Sequence, residues 1–251
     1  MMSILKRIST DAPRCDVCAS KKSTLFRKVG KHTYQTCSKC GTIYLITREL
    51  NLQKKRKTYL ENPEAYLDII NPHGTRYMAG CVDAAYASKI GPEKGKLLEI
   101  GSGLGHLSYM LFSRDWDVSC LELSQAAVDW SEKVFKLPTH TTPIEKFTEK
   151  DFKAFVMVEV IEHLYNPYDA LAQIRKLAAK NSLLFGTTPN INSEHWRISE
   201  QDIYQPHDHI VLFSKSSLTT LLKKAKLRDI TIEYFGMGEK NDSNIMFSER
   251  I

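Results

Sequence analysis

Along the chain, short unbroken apolar runs alternate with stretches in which apolar residues return every three or four positions. Runs at 96–100, 117–122, 155–158 and 182–187 have the length and composition of strands buried on both faces. The stretches 104–113, 124–135, 167–179 and 214–226 read as amphipathic helices. A short strand is expected near 140–142, and two more, at 229–235 and 243–248, close the chain. Strands that alternate with helices imply right-handed crossovers and a parallel sheet covered on both sides.

Upstream of 91 the pattern changes. Tyr66, Leu67, Ile69 and Ile70 group as a short amphipathic helix, and Tyr77, Met78, Cys81, Ala84, Ala85 and Ile90 follow near helical spacing. Further back, 24–29, 32–36 and 43–47 read as short strands, the first two joined at Gly30 and Lys31. The expected organisation is a small strand-rich segment at 1–47, a helical linker or lid at 48–90, and the α/β unit at 91–251. A length of 251 residues suits one α/β unit with a small appendage. No run of about 18 apolar residues occurs, so no membrane span and no membrane partner is expected. The first residues lack the apolar core of a secretion signal, which makes a cytoplasmic location the expectation.

The strand-rich segment carries two Cys-x-x-Cys pairs, Cys15 with Cys18 and Cys37 with Cys40. Each pair can form a tight turn that presents two sulfurs, and two such turns supply a tetrahedral four-thiolate site. This arrangement resembles a zinc ribbon, and a core so small needs a metal to stay folded. A redox dithiol is the rival reading and needs only one such pair. Four thiolates leave no open position on the metal, so the zinc is structural. Cys81 and Cys120 lack such neighbours and read as packing residues. Residues 1–57 hold 14 Lys and Arg against 3 Asp and Glu, a formal +11, whereas the remainder carries −5. A basic appendage of this kind attracts nucleic acid, a phosphorylated carrier or an acidic glycan, or is simply a solvated face.

The α/β unit opens on KLLEIGSGLG. Leu97, Leu98 and Ile100 form the strand, Gly101, Gly103 and Gly105 the turn, and a helix follows. Glycines in such a turn adopt unusual φ and let a ligand approach the backbone. The spacing is GxGxG rather than the GxGxxG of dinucleotide enzymes. Glu99, two residues before the first glycine, suits a cationic ligand group. Glu122 ends the next strand, about 20 residues on, where a ribose diol would be held.

Together with EVIEHL at 159–164 and TTPN at 187–190, this pattern resembles the class I S-adenosylmethionine-dependent methyltransferases. It is most similar to the branch whose fourth strand ends in E-x-x-E-H and whose fifth ends in T-P-N. Ubiquinone-type, sugar and natural-product, and small-RNA 2′-O-methyltransferases share those features. The resemblance implies a Rossmann-like, mostly parallel seven-stranded sheet whose last two strands form an antiparallel hairpin. It implies S-adenosylmethionine as cofactor, held by Glu99, Gly101, Ser102, Gly103 and Gly105 at its methionine part. Glu122 would meet the ribose, Pro143, Ile144 and Glu145 the adenine, and Val158 and Glu159 the amino-acid group, with Leu123 also in the cofactor site. Where this chain has Pro143, the family commonly carries an acidic residue. Tyr66, Arg76 and Tyr77 fall where the family's leading helix covers the substrate.

Methyl transfer to a hydroxyl needs alignment and removal of a proton. His163 is the preferred base, because it follows the fourth strand at the carboxyl edge of the sheet and imidazole accepts protons near neutral pH. On a helical turn Glu159, Glu162 and His163 would share one side, and His207 and His209 would alternate on an extended segment. Glu159, Glu162, His163 and His209 are thus a second metal set, for Mg²⁺ or Mn²⁺, which resembles that of the small-RNA enzymes. Three functions follow: an O-methyltransferase for a small-molecule or glycan acceptor, a metal-assisted RNA 2′-O-methyltransferase, or a non-catalytic scaffold. The intact GxGxG turn with Glu99 and Glu122 argues against the scaffold.

Overall fold

The computed structural model describes residues 14–46, 71–194, 208–236 and 242–251. The expected helix at 66–70, Tyr66 and His207 lie outside the described residues. Strands β1 (Ser23–Val29), β2 (His32–Cys37) and β3 (Ile43–Leu45) come first. Helix α1 (Pro72–Lys89) starts where the side chain of Asn71 accepts from the His73 and Gly74 amides, with Pro72 in the first turn, where its missing N–H costs nothing. Then come β4 (Lys96–Ile100), α2 (His106–Phe112), β5 (Asp117–Leu121), α3 (Gln125–Phe135) and β6 (Thr139–His140). Next are β7 (Phe152–Val158), α4 (Pro167–Leu177) and β8 (Ala178–Pro189). The chain closes with β9 (Val211–Leu212), α5 (Lys215–Lys224), β10 (Arg228–Phe235) and β11 (Asn244–Arg250).

The main sheet has seven strands in the order β10-β11-β8-β7-β4-β5-β6. β8, β7, β4, β5 and β6 run parallel, and β11 pairs antiparallel with both β8 and β10, as the hairpin expectation has it. From β4 the chain winds outward through β5 and β6, then returns to β4's other side with β7. Such a reversal leaves a crevice at the carboxyl ends of β4 and β7, because their crossovers depart to opposite sides. One face of the sheet packs on α1 and α2 through Val82, Tyr86, Leu111 and Trp116. The other packs on α4 and α5 through Leu171, Ile174, Leu218 and Leu221. The Phe213-Ser214-x-x-x-Leu218 entry to α5 is structural: Ser214 and Ser217 form a capping box over two buried neighbours. Among the described residues, no helix is long and apolar enough to cross a membrane.

The N-terminal segment forms a second sheet, and here the structure adds a strand. Its order is β1-β2-β3-β9, so the fourth strand comes from the region just before α5. Ile43 pairs with Leu212 and Tyr44 with Val211, antiparallel. Val17, Tyr34, Ile43, Tyr44 and Leu45 lie in the same apolar cluster as Ile174 and Leu221. The third strand spans Ile43–Leu45, ending before Ile46; residue 47 of the 43–47 expected lies outside the described residues.

One group in this core is out of place. Glu249, on β11, is fully buried, and among the described residues neither carboxyl oxygen has a hydrogen-bond partner. Burial pushes its carboxyl well above the ordinary value, opposed only weakly by Lys89. A raised folded value means that the native state holds a proton which the unfolded chain gives up above about pH 4.5. Stability from this group is therefore complete below that pH and is lost as pH rises through the folded value. Glu249→Met should raise stability by about 1–3 kcal/mol at neutral pH and flatten the alkaline decline in urea titrations. Equal pH dependence in both proteins would show that Glu249 is not the group.

Candidate active site

The glycine turn hangs from the end of β5. Gly101 and Ser102 both donate their amides to the Leu121 carbonyl, at 2.7 and 3.1 Å. Gly101, Gly103 and Gly105 all have positive φ, +71°, +54° and +80°. At Gly101 a side chain would meet the Val160 methyl at 2.7 Å, and at Gly105 the Ser131 hydroxyl at 2.4 Å. Space and dihedral both exclude other residues at these two positions. Gly103 faces open space, so only its dihedral is restrictive.

Glu122 closes the turn from the neighbouring strand. Its carboxylate accepts from the Gly103 amide at 2.9 Å and the Ser124 amide at 2.8 Å, one on each oxygen. The following residue, Leu123, is 51% exposed, an apolar surface at the crevice rim. Beyond β6, Pro143 leads a 3-10 turn at Ile144–Lys146, in which Ile144 is buried and Glu145 exposed.

Glu99 points into the protein. It is buried, accepts from the Ser108 hydroxyl of α2, and Cys120 reaches the same hydroxyl at 3.0 Å. Burial pushes the Glu99 carboxyl up to about 8 and the Cys120 thiol up to about 12. Cys120 is thus an inert packing residue, as its sequence context suggests.

At the end of β7 the expected helical turn does not form. Glu159 has φ +53°, Val160 is non-helical, and a 3-10 turn spans only Ile161–His163. The carboxylates diverge onto two neighbouring threonines of β8. Thr187 donates to Glu159 at 2.7 Å, and Thr188 donates to Glu162 at 2.9 Å. Burial raises the Glu159 carboxyl to about 7, and burial, then Glu159, raises that of Glu162. His163 Nδ1 lies 2.9 Å from the Asp208 carbonyl, which can only accept, so Nδ1 carries a proton; the Asp208 carboxylate lies 3.3 Å from the same nitrogen, and Nε2 faces Glu162 Oε1 at 3.7 Å. The imidazoles of His163 and His209 lie 5.0 Å apart, and ligand atoms of Glu162, His163 and His209 fall within 4.8 Å of one another. Glu159 is not part of that group. Thr187, Thr188 and Asp208 escaped sequence reasoning. The threonines read only as strand residues, and Asp208 meets His163 from 45 residues away.

The four cysteines converge. Their sulfurs lie within 4.8 Å of one another, with Cys15–Cys40 at 3.5 Å and Cys18–Cys37 at 3.4 Å. Four thiolates around a zinc at about 2.3 Å are themselves about 3.8 Å apart, which these spacings accommodate. The two turns match: Ala19 donates to the Cys15 carbonyl and Gly41 to the Cys37 carbonyl, both residues at positive φ. The residues fit a structural zinc.

Arg76 and Tyr77 lie apart from these groups, lining an open cleft on α1 with His73, Gly80, Cys81 and Ala84.

A seven-stranded sheet of this order, with a glycine turn and acidic strand ends at its reversal point, defines the class I methyltransferase fold. A family model described as a methyltransferase domain matches residues 73–232. The chain belongs to that family and is an S-adenosylmethionine-dependent methyltransferase. Among solved structures it is similar to the 1,6-didemethyltoxoflavin-N1-methyltransferase of Burkholderia thailandensis, bound to S-adenosylhomocysteine. The TM-score is 0.61 and the identity 10%, over 90% of this chain and 98% of that one. The N-methyltransferase NodS of Bradyrhizobium japonicum gives 0.57 at 16%, over 80% and 98%. The CurJ carbon methyltransferase gives 0.55 at 16%, over 79% and 58%. No curated protein matches the sequence. At these identities the likeness carries the fold and not the acceptor.

The turn's geometry makes a test. Gly101→Ala should cost about 1–2 kcal/mol through its dihedral, and more through the Val160 contact. In Gly101→Ala/Val160→Ala the contact is relieved and the dihedral cost remains, so chemical denaturation should show partial recovery. Simple additivity of the two substitutions would contradict this.

Proposed function

We propose that the protein methylates a hydroxyl of a small-molecule or glycan acceptor, with His163 as the general base. The observation that carries the reading is the anchoring of His163: its Nδ1–H donates to the Asp208 carbonyl, which turns Nε2 toward Glu162 beside the carboxyl edge of the sheet. Its place at the carboxyl edge of the sheet, beside the reversal point, supports the same assignment. When bound, S-adenosylmethionine supplies a sulfonium-borne methyl group that leaves without acid assistance. The chain aligns the acceptor and removes its proton, the two tasks left to it.

In this reading Glu99, Gly101, Ser102, Gly103 and Gly105 hold the methionine part, and Val158 and Glu159 flank it. Glu122 keeps a second lone pair on each oxygen after its two backbone contacts and takes the ribose hydroxyls there. Leu123, Ile144 and Glu145 border the adenine. An ammonium group held at Glu99 requires the carboxylate, yet burial keeps that carboxyl protonated up to about 8. Binding should therefore release a proton. Calorimetric affinity for S-adenosylmethionine should rise by up to about tenfold per pH unit from about pH 6 toward 8. The slope should vanish in Glu99→Gln. A pH-independent affinity in the wild type would remove Glu99 from the cofactor site.

A second reading rests on the grouping of Glu162, His163 and His209, which suits a divalent ion gripping the terminal hydroxyls of an RNA. One experiment separates the two. Methyl transfer into fractionated cell extract is followed for the wild type, for His163→Ala, and for chelator-treated enzyme, with zinc assayed on the same sample. We expect about one zinc per chain, held by Cys15, Cys18, Cys37 and Cys40. His163→Ala should lower turnover by about 10²-fold or more, remove the acidic limb of the pH–rate profile and leave cofactor affinity unchanged. Activity that returns only with Mg²⁺ or Mn²⁺, on an RNA fraction, would favour the second reading.

A further inference from the structure

Three successive carbonyls run past the site, and each is taken by a different part of the molecule. The Asp208 carbonyl accepts from His163 at 2.9 Å. That of His209 accepts from the Tyr34 hydroxyl at 2.8 Å, and that of Ile210 accepts from the Leu45 amide at 2.9 Å. Tyr34 and Leu45 belong to β2 and β3 of the cysteine ribbon and are fully buried. From the other side, the Ile210 amide donates to the Glu162 carbonyl at 2.8 Å. One residue further on, Val211 and Leu212 become the ribbon's fourth strand. The backbone that carries His209 is thus held on one edge by the ribbon and on the other by the turn that carries Glu162 and His163.

We infer that the ribbon forms one wall of the acceptor site, and that Tyr34 is a positioning residue for His209 and, through the adjoining Asp208 carbonyl, for His163. The functional weight of this wall rests on the reading of His163 as the base. A buried phenol that donates to a main-chain carbonyl fixes the depth of that carbonyl, and with it the ring one residue before the ladder begins. The ribbon then does more than add a folded appendage: it sets the distance between two imidazoles that come from elements 46 positions apart in sequence.

The test uses the full zinc-loaded chain, and its readout is the ring-nitrogen NMR signals of His163 and His209 at one fixed pH without acceptor. Tyr34→Phe removes the hydroxyl alone. Both ring signals should shift or broaden, while affinity for S-adenosylmethionine stays within about twofold, since the glycine turn is untouched. Lys224→Met serves as the control, because it removes a different tie to the ribbon, the 2.9 Å bond from Lys224 to the Val17 carbonyl. There the ring signals should stay in place. Unmoved rings in Tyr34→Phe, or equal movement in both variants, would overturn the inference. So would a Tyr34→Phe protein that fails to fold while Lys224→Met folds, since the hydroxyl would then be a determinant of the fold. Because the rings are read without turnover, an active His163→Ala enzyme would sink the base and leave this result standing.

Discussion

The strip of backbone from Asp208 to Leu212 joins the ribbon to the turn after β7. The ribbon takes its fourth strand from it, which covers the edge of β3. The turn after β7 takes a hydrogen bond from it at the Glu162 carbonyl. His163 donates its Nδ1–H to it, at the Asp208 carbonyl. Each contact is an ordinary hydrogen bond worth about 1 kcal/mol. Their joint effect is geometric, because they hold residues from three distant stretches of chain within reach of one another.

Near the glycine turn and the turn after β7 the protein concentrates buried acid. Glu99, Glu159 and Glu162 all lie at the carboxyl edge of the sheet, and burial raises each of them. Such placement costs stability, since an apolar side chain would pack there without a desolvation penalty. Each of the three has a hydroxyl partner, Ser108, Thr187 or Thr188, which offsets part of that cost. Glu249 has none among the described residues and lies away from the edge, so the three at the edge differ from it in being hydrogen-bonded. Perturbed groups that converge on a crevice are the usual mark of chemistry.

Much of this was legible in the order of residues. Unbroken apolar runs and period-3.6 patterns are local, so the strands and helices of the main sheet were placed to within a few residues. The CxxC pairs and the GxGxG turn are local as well, and each folds as its spacing implies. What escaped was non-local or depended on a single dihedral. β9 is two residues long, with no signal of its own, and pairs with a partner about 170 positions earlier. Glu159 at positive φ breaks the helical turn that would have put it beside Glu162 and His163, and nothing in EVIEH announces that dihedral.

Held by one strip of backbone, the ribbon and the turn that carries His163 should open as one unit. Native-state hydrogen exchange of the full chain before and after treatment with a metal chelator tests this directly. The claim predicts that chelation speeds exchange at the Leu45 and Ile210 amides together, and at the amides of the turn after β7, while β4 stays protected. Faster exchange confined to the ribbon, with Ile210 and the His163 amide unchanged, would contradict it.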